Sequence, residues 1–370
     1  MVVLIAMPCL LSGGTEMQTL YLSHALRQAK YTVVVCCYFE YQREMVQRFE
    51  AAGCKVECLS AYGRRPATTR EVWQALWSGL RRVVRAYRPD VAHVQYVAPG
   101  ALPILALRLL GVKRVIATVH THADHFEKLG LIRHIQRHMT DLFTCVSTAA
   151  EASFFGSRQV YEANMTPVRH GHYTIPNCLP PQWKAAPREP HSMSTIGYVG
   201  RLEHIKGADR IVPAFASVVR HNVPCRLLVV GDGRLRHDME QAATRLGIAD
   251  RVTWAGHVGA EKLAALYWQM DLVWVPSRSE GFGLTALEAM AQGCAVLAAN
   301  TGGLPDVVGE AGRLFGDEEE MVNQTVQLLS DTSRLSLLQE AGRQRARLFS
   351  FEAYSERIGS LYQALLAAQK

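Results

Sequence analysis

Two glutamates eight positions apart, Glu280 and Glu288, and two cations five positions apart, Arg201 and Lys206, are the residues whose types and spacing suit chemistry. Glu280 stands directly before Gly281-Phe282-Gly283, and from Leu284 onward Leu284, Leu287 and Met290 with small Ala286, Ala289 and Ala291 mark a helix face. Glycines at a helix start leave backbone N–H groups unshielded, and those groups together with the helix dipole attract phosphate. On this spacing Glu280 sits in the mouth of the site and Glu288 two turns deeper. A carboxylate beside a phosphate site is costly unless it accepts hydrogen bonds from sugar hydroxyls, which points to a sugar nucleotide. The loop Gly200-Arg201-Leu202-Glu203-His204-Ile205-Lys206-Gly207 supplies a planar donor fork and a compact charge, a pair suited to a leaving diphosphate. There is no D-x-D with a supporting ligand, so no metal and no other cofactor is expected, the two cations standing where Mg²⁺ would otherwise serve.

These residues need elements that carry them. The first half alternates strands and helices: VVLIAM, then a helix from about Met17 to Gln28, a strand at 31–37, a helix near 43–52, a strand at 55–59 and a helix over 69–87 that ends before Pro89. DVAHVQY, VIATVH and LFTCVS read as further strands. A second series runs TIGYVGR, a helix from Ala208, RLLVVGDG, a helix over 235–246, VTWAG, a helix near 261–268, LVWVP, the helix at 284–292, AVLAA and a helix over 318–330. Such alternation predicts an α/β fold with parallel sheets covered on both faces. The expected organisation is residues 1–175 as an N-terminal domain, 176–192 as a linker with Pro176, Pro180, Pro181, Pro187 and Pro190, and 193–350 as a C-terminal domain. Residues 351–370 are expected to form a helix packing back on the N-terminal domain. Every polar, Gly-rich cluster follows a strand (12–16, 120–124, 200–207, 231–233, 256–258, 280–283 and 302–303), where open α/β sheets bind ligands.

Composition excludes several classes. With 370 residues, 49% of them hydrophobic, two ordinary cores are expected. No run approaches 18 uncharged apolar residues and no basic leader precedes Val2, so neither a membrane span nor a signal peptide is expected and the chain reads as cytoplasmic. The 9 cysteines are scattered and read as buried free thiols. Charge is uneven: residues 1–180 carry 20 Lys and Arg against 12 Asp and Glu, and residues 181–370 carry 20 against 21. The basic half suits an anionic membrane surface, with Arg81, Arg82, Arg85, Arg88 and the segment Arg133 to Arg137 facing it. Nucleic acid is not an expected partner, because no aromatic-interleaved basic stripe is present.

As a set, GRLEHIKG (200–207), VVGDGRL (229–235), PSRSEGFGLTALEAMAQG (276–293) and NTGGLPDVV (300–308) resemble the retaining glycosyltransferases of family 4, with GGTE (13–16) and TVHTHAD (118–124) fitting the partner domain. The resemblance covers almost the whole chain and implies a GT-B fold, two Rossmann-like domains facing each other across a cleft. It implies that Arg201 and Lys206 hold the donor diphosphate, while Gly200, Gly281, Phe282, Gly283 and Leu284 shape the donor pocket. Glu280 then receives sugar hydroxyls and Glu288 ribose hydroxyls. Gly14 lets backbone approach the diphosphate from the other domain, Asp232 and Val258 border the nucleobase, and His120 lies by the transferred sugar. Asp124 and Asn177 are acceptor-side candidates. Where family members often read N-G-V-D, this chain has Asn177-Cys178-Leu179-Pro180.

The expected activity is retaining transfer of a hexose-type sugar from a nucleoside diphosphate sugar, with UDP as the base, to a hydroxyl of a glycan or lipid-linked acceptor in cell-envelope polysaccharide or glycolipid synthesis. A sugar-nucleotide epimerase of the same architecture is the alternative. Glycoside hydrolysis by the paired glutamates is disfavoured, since both belong to one loop-helix element beside phosphate-binding residues that hydrolysis does not need.

Overall fold

The computed structural model describes residues 1–60, 63, 65–96, 101–126, 128–180, 183 and 193–367. The chain forms two compact units, Met1–Cys178 together with Phe351–Lys370, and Leu179–Ser350. Their boundary falls inside the proline-rich segment, of which Pro181, Pro187 and Pro190 lie outside the described residues.

The first unit holds β1 (Val2–Met7), β2 (Thr32–Cys37), β3 (Lys55–Cys58), β4 (Val91–Gln95), β5 (Arg114–Val119), β6 (Leu142–Cys145) and β7 (Gly171–Thr174). They form one parallel sheet in the order β3-β2-β1-β4-β5-β6-β7. Successive side chains of a strand point to opposite faces. Val3, Ile5 and Met7 therefore pack in one core with the Gly14–Gln28 and Phe351–Ala367 helices, while Leu4 and Ala6 join a second core with Leu76, Leu80 and Ile104. Covering on both faces explains why these strands read as unbroken apolar runs.

The last helix, Phe351–Ala367, thus completes the unit that the chain began. It buries Tyr354, Ile358, Leu361, Tyr362 and Leu365. The Tyr362 hydroxyl lies 2.7 Å from His93 Nδ1, and His93 Nε2 lies 2.6 Å from Thr118 Oγ1. Both imidazole nitrogens are satisfied out of reach of water, and burial followed by the nearby His120 pushes the His93 pKa down to about 3.

The second unit holds β8 (Ser194–Val199), β9 (Cys225–Val230), β10 (Val252–Gly256), β11 (Leu272–Val275), β12 (Ala295–Ala299) and β13 (Arg313–Phe315), parallel in the order β10-β9-β8-β11-β12-β13. Strand direction of growth reverses between β8 and β11, so the loops leaving them diverge and open a crevice at their carboxyl ends. The corresponding reversal in the first sheet lies between β1 and β4.

Several elements carry no clear sequence signal. The edge strands β7 and β13 are four and three residues long and only partly apolar. The Ala101–Leu109, Thr148–Phe155 and Thr332–Ala346 helices also escape the periodic reading; the first has apolar residues nearly all round and a proline inside its first turn. All nine cysteines are free, and seven of them are buried.

The Tyr362→Phe variant should lose about 1–3 kcal/mol of stability, the cost of leaving a buried imidazole nitrogen without a partner. Urea unfolding at neutral pH measures it.

Candidate active site

The crevice of the second unit gathers the residues singled out above. The β8 strand ends at Val199 and the 200–207 loop begins at Gly200, with φ 159°. It is held against the 231–233 loop by backbone bonds: Leu202 N donates to Asp232 O at 2.9 Å and Leu235 N to Leu202 O at 3.0 Å. Gly231, at φ 128°, approaches so closely that a Cβ there would stand 1.9 Å from the Gly200 carbonyl oxygen. On its other side the loop meets the end of β11, where a Cβ on Gly207 would stand 2.0 Å from Pro276 O. The 276–283 loop in turn meets the loop after β12: Gly303 N donates to Glu280 O at 2.9 Å, and a Cβ on Gly302 (φ 53°) would lie 1.9 Å from that oxygen.

Charges sit on this interlocked backbone. Lys206 Nζ donates to Glu280 Oε2 at 2.7 Å, and Ser277 Oγ donates to the same oxygen at 3.2 Å. Arg201 pairs with Glu203 at 2.7 Å, its side chain 65% exposed and free to swing. Beneath them Tyr198, a buried residue of β8, donates its hydroxyl to Arg201 O at 2.9 Å. Burial pushes its pKa up, with Arg201, Asp209, Glu203 and Glu280 all near enough to act on the phenol. Arg201 and Glu280 are thus neighbours of one tyrosine. Arg278 clamps the cluster: it reaches both Asp209 oxygens at 2.6 and 2.7 Å and the His204 carbonyl at 2.6 Å. That fork holds the Asp209 carboxyl below the usual carboxylate range.

The helix after this loop runs Leu284–Ala291, with Gly283 at φ 110° as its capping residue and no side chain capping its first amides. Phe282 is buried, its ring edge-on to Phe349 at 5.8 Å. Glu288 lies on the fifth residue of the helix and receives the Tyr267 hydroxyl on Oε2 at 3.1 Å. Burial raises its pKa to about 7, against the pull of that hydrogen bond. Asp232 is exposed and accepts from Gly233 N at 2.7 Å rather than capping the following helix, and Val258 is half-buried just past β10.

In the first unit Gly14 opens the Gly14–Gln28 helix and is exposed. His120 follows β5, with Nε2 2.7 Å from Gln95 Oε1 at the end of β4. Burial holds its pKa down to about 3, so the ring is neutral at physiological pH. His120, Gln95 and Asn177 line one small cavity of about 20 Å³, together with Gln18, His93 and Thr118. Asp124 is not in it: its side chain is 82% exposed and pairs with His122 Nδ1 at 2.8 Å.

Asp209 and Arg278 escape the sequence reading because their contacts join positions 69 to 74 apart, and Tyr198 because its role depends on strand register. Ser277 and Arg278 had a local signal, as polar residues within three positions of Glu280.

Comparison with known proteins follows the same division. Residues 194–331 match the family described as Glycosyl transferases group 1, and residues 12–171 match Glycosyltransferase Family 4. A D-inositol 3-phosphate glycosyltransferase of Segniliparus rotundus is 39% identical over 184 residues, 47% of this chain and 41% of that protein. The chain therefore spans well under two thirds of that relative's length. A GDP-mannose-dependent alpha-(1-6)-phosphatidylinositol monomannoside mannosyltransferase of Mycobacterium tuberculosis is 29% identical over 300 residues, 76% of this chain and 77% of that protein. Among solved structures, HepE of Anabaena in complex with UDP and glucose superimposes with a TM-score of 0.79 at 18% identity, covering 98% of this chain and 99% of that one. Sucrose-phosphate synthase of Thermosynechococcus elongatus gives 0.79 at 22% identity, over 100% of both chains. At these identities the two structures speak for the fold.

Gly302→Ala and Gly247→Ala both place a side chain at positive φ, but only the first meets backbone; nothing lies within 4 Å of the second. Gly247→Ala should cost about 1 kcal/mol, while Gly302→Ala should displace Glu280 and weaken nucleotide binding at least about 10-fold. Calorimetric titration with UDP and GDP reads the difference.

Proposed function

The chain belongs to glycosyltransferase family 4 and has the GT-B fold, and on that premise we propose that it moves a hexose-type sugar from a nucleoside diphosphate sugar to a hydroxyl of a glycan or lipid-linked acceptor, with retention of configuration. The observation that carries this reading is the Lys206–Glu280 pair, held with Arg201 over the crevice between β8 and β11. Each of these cations is engaged by a carboxylate. An exposed pair such as Arg201–Glu203 is worth about 0–1 kcal/mol, so exchanging it for a diphosphate costs little. Lys206 leaving Glu280 for the phosphate frees a carboxylate beside it to accept sugar hydroxyls. The uncapped amides of the Leu284–Ala291 helix add their dipole to the same charge.

As the bond from the anomeric carbon to phosphate oxygen loosens, negative charge grows on the diphosphate, where Arg201, Lys206 and the amides stabilise it. The acceptor hydroxyl attacks from the same face and hands its proton to the departing phosphate oxygen. This course asks for no separate base, in keeping with a His120 that burial keeps neutral and hydrogen-bonded to Gln95. It asks for no metal either, because the two cations take the charge. The epimerase alternative needs an acid and a base that exchange protons near neutral pH; burial keeps both His93 and His120 below that range, and Glu288, the carboxyl raised towards it, is engaged by the Tyr267 hydroxyl.

The donor nucleotide proposed is UDP. GDP-mannose is the second reading, favoured by the name of the mycobacterial relative. The acceptor is proposed to be lipid-linked, with the protein at the inner face of the membrane. The Thr69–Tyr87 helix supports this: Arg81, Arg82 and Arg85 are exposed along it, and Trp73 stacks on Trp77 at 5.8 Å. Among the described residues no helix is long and apolar enough to cross a membrane.

Arg201→Ala should lower turnover roughly 100- to 1,000-fold, the usual loss of one transition-state donor. Near-normal transfer by this variant, assayed with the donor that gives the largest thermal shift among UDP-, GDP- and ADP-sugars, contradicts the assignment. Vesicles containing anionic lipid should bind the protein in a salt-sensitive way. Neutralising Arg81, Arg82 and Arg85 should weaken that binding about 100-fold, at about 1 kcal/mol per charge; sedimentation with vesicles measures it.

A further inference from the structure

Glu288 has a feature its proposed role does not account for: it is a half-buried carboxyl whose hydrogen-bond partner comes from a different element. That partner, Tyr267, is the last residue of the Ala260–Tyr267 helix and is fully buried. Its hydroxyl reaches Glu288 Oε2 at 3.1 Å and Thr285 O at 3.5 Å. Burial pushes the phenol's pKa well up, so the hydroxyl keeps its proton and donates it, to the nearer carboxylate oxygen. Trp183, in the segment that leads into the second unit, meets the Tyr267 ring edge to face at 5.9 Å, and Cys294 Sγ donates to Tyr267 O at 3.3 Å. Trp183 thus meets the ring, while Cys294 holds the backbone carbonyl of the same residue.

Resting on the reading that Glu288 receives the donor's ribose hydroxyls, we infer that Tyr267 is a positioning residue of the donor site, whose hydroxyl fixes one Glu288 oxygen and presents the other to the ribose. A carboxylate accepts two hydroxyl protons well only when ionised, and ionisation against the cost of burial needs a donor. Tyr267 supplies one without adding charge. Among the described residues, the shift of Glu288 is set by burial and by the Tyr267 hydrogen bond. Cys294 lies behind the tyrosine, and Arg343 from the Thr332–Ala346 helix stands over Gly293 with its guanidinium tied to Glu340.

Glu288 with its pKa raised to about 7 means that the ionised fraction, and with it nucleotide affinity, rises as pH goes from 6 to 8. Removing the donated hydrogen bond in Tyr267→Phe takes away an influence that opposes burial, so the midpoint moves up. Affinity at pH 7 should then fall severalfold, while at pH 9 the variant and the parent protein converge. The experiment is calorimetric titration of the full chain with UDP and GDP from pH 5.5 to 9, repeated with the 2′-deoxy nucleotides. The terminal phosphate of a nucleoside diphosphate itself titrates near pH 6, so Glu288→Gln should remove the rise in affinity above pH 7, and the 2′-deoxy nucleotides should lack the same part of the profile.

A Tyr267→Phe profile with the parent midpoint, or one weakened by the same factor at every pH, overturns the positioning role. A merely structural tyrosine would give the second outcome. A Glu288→Gln protein that keeps both parent affinity and parent profile instead overturns the ribose reading itself. The two failures are thus told apart.

Discussion

The second unit rests on backbone meeting backbone. Gly207 against Pro276, Gly231 against Gly200 and Gly302 against Glu280 are approaches with no room for a methyl group, and all three glycines lie at positive φ. Hydrogen bonds from Leu202 to Asp232 and from Gly303 to Glu280 lock the same loops in place. Four loops from four strand ends are thereby fixed to one another rather than to the solvent. The charged side chains inherit their positions from this frame, and so a loop-built site gains the precision usually found on helices and strands.

On that frame the ion pairs fall into two kinds. Arg278–Asp209 is a forked pair reinforced by the His204 carbonyl, and it ties the 200–207 loop to the 276–283 loop. Its partners have no reason to separate. Lys206–Glu280 and Arg201–Glu203 are single contacts at the rim, one of them highly exposed. The first kind resembles masonry, whereas the second keeps cations from lying unpaired until an anion arrives. Glu288 differs from both, being a carboxyl with no cation partner among the described residues and a pKa near neutrality.

Much of this was legible in the chain itself. Unbroken apolar strands spaced by amphipathic helices gave the two parallel sheets, and the Arg201, Lys206 and Glu280 loops were recognised because each follows a strand that ends in the crevice. The residues that went unread share a cause. Tyr198 is a core strand residue by pattern, yet the register of β8 brings its hydroxyl under Arg201. Tyr267 ends a helix and looks like packing, and only the fold brings it against a glutamate 21 positions away. The edge strands β7 and β13 have too few residues to show a period, because each needs only one neighbour. Local pattern reports what a residue is made of, while these roles depend on what comes to lie beside it.

The return of the Phe351–Ala367 helix to the first unit has a consequence for biosynthesis. On the ribosome, residues 1–178 emerge first, but one wall of their core, including the phenol that satisfies His93, is encoded only after the whole of the second unit. Until residues 351–367 are made, the face that Val3, Ile5 and Leu26 share is covered by the Gly14–Gln28 helix but lacks Ile358, Leu361 and Tyr362. The Leu179–Ser350 segment, by contrast, is contiguous and can close on itself as it is made.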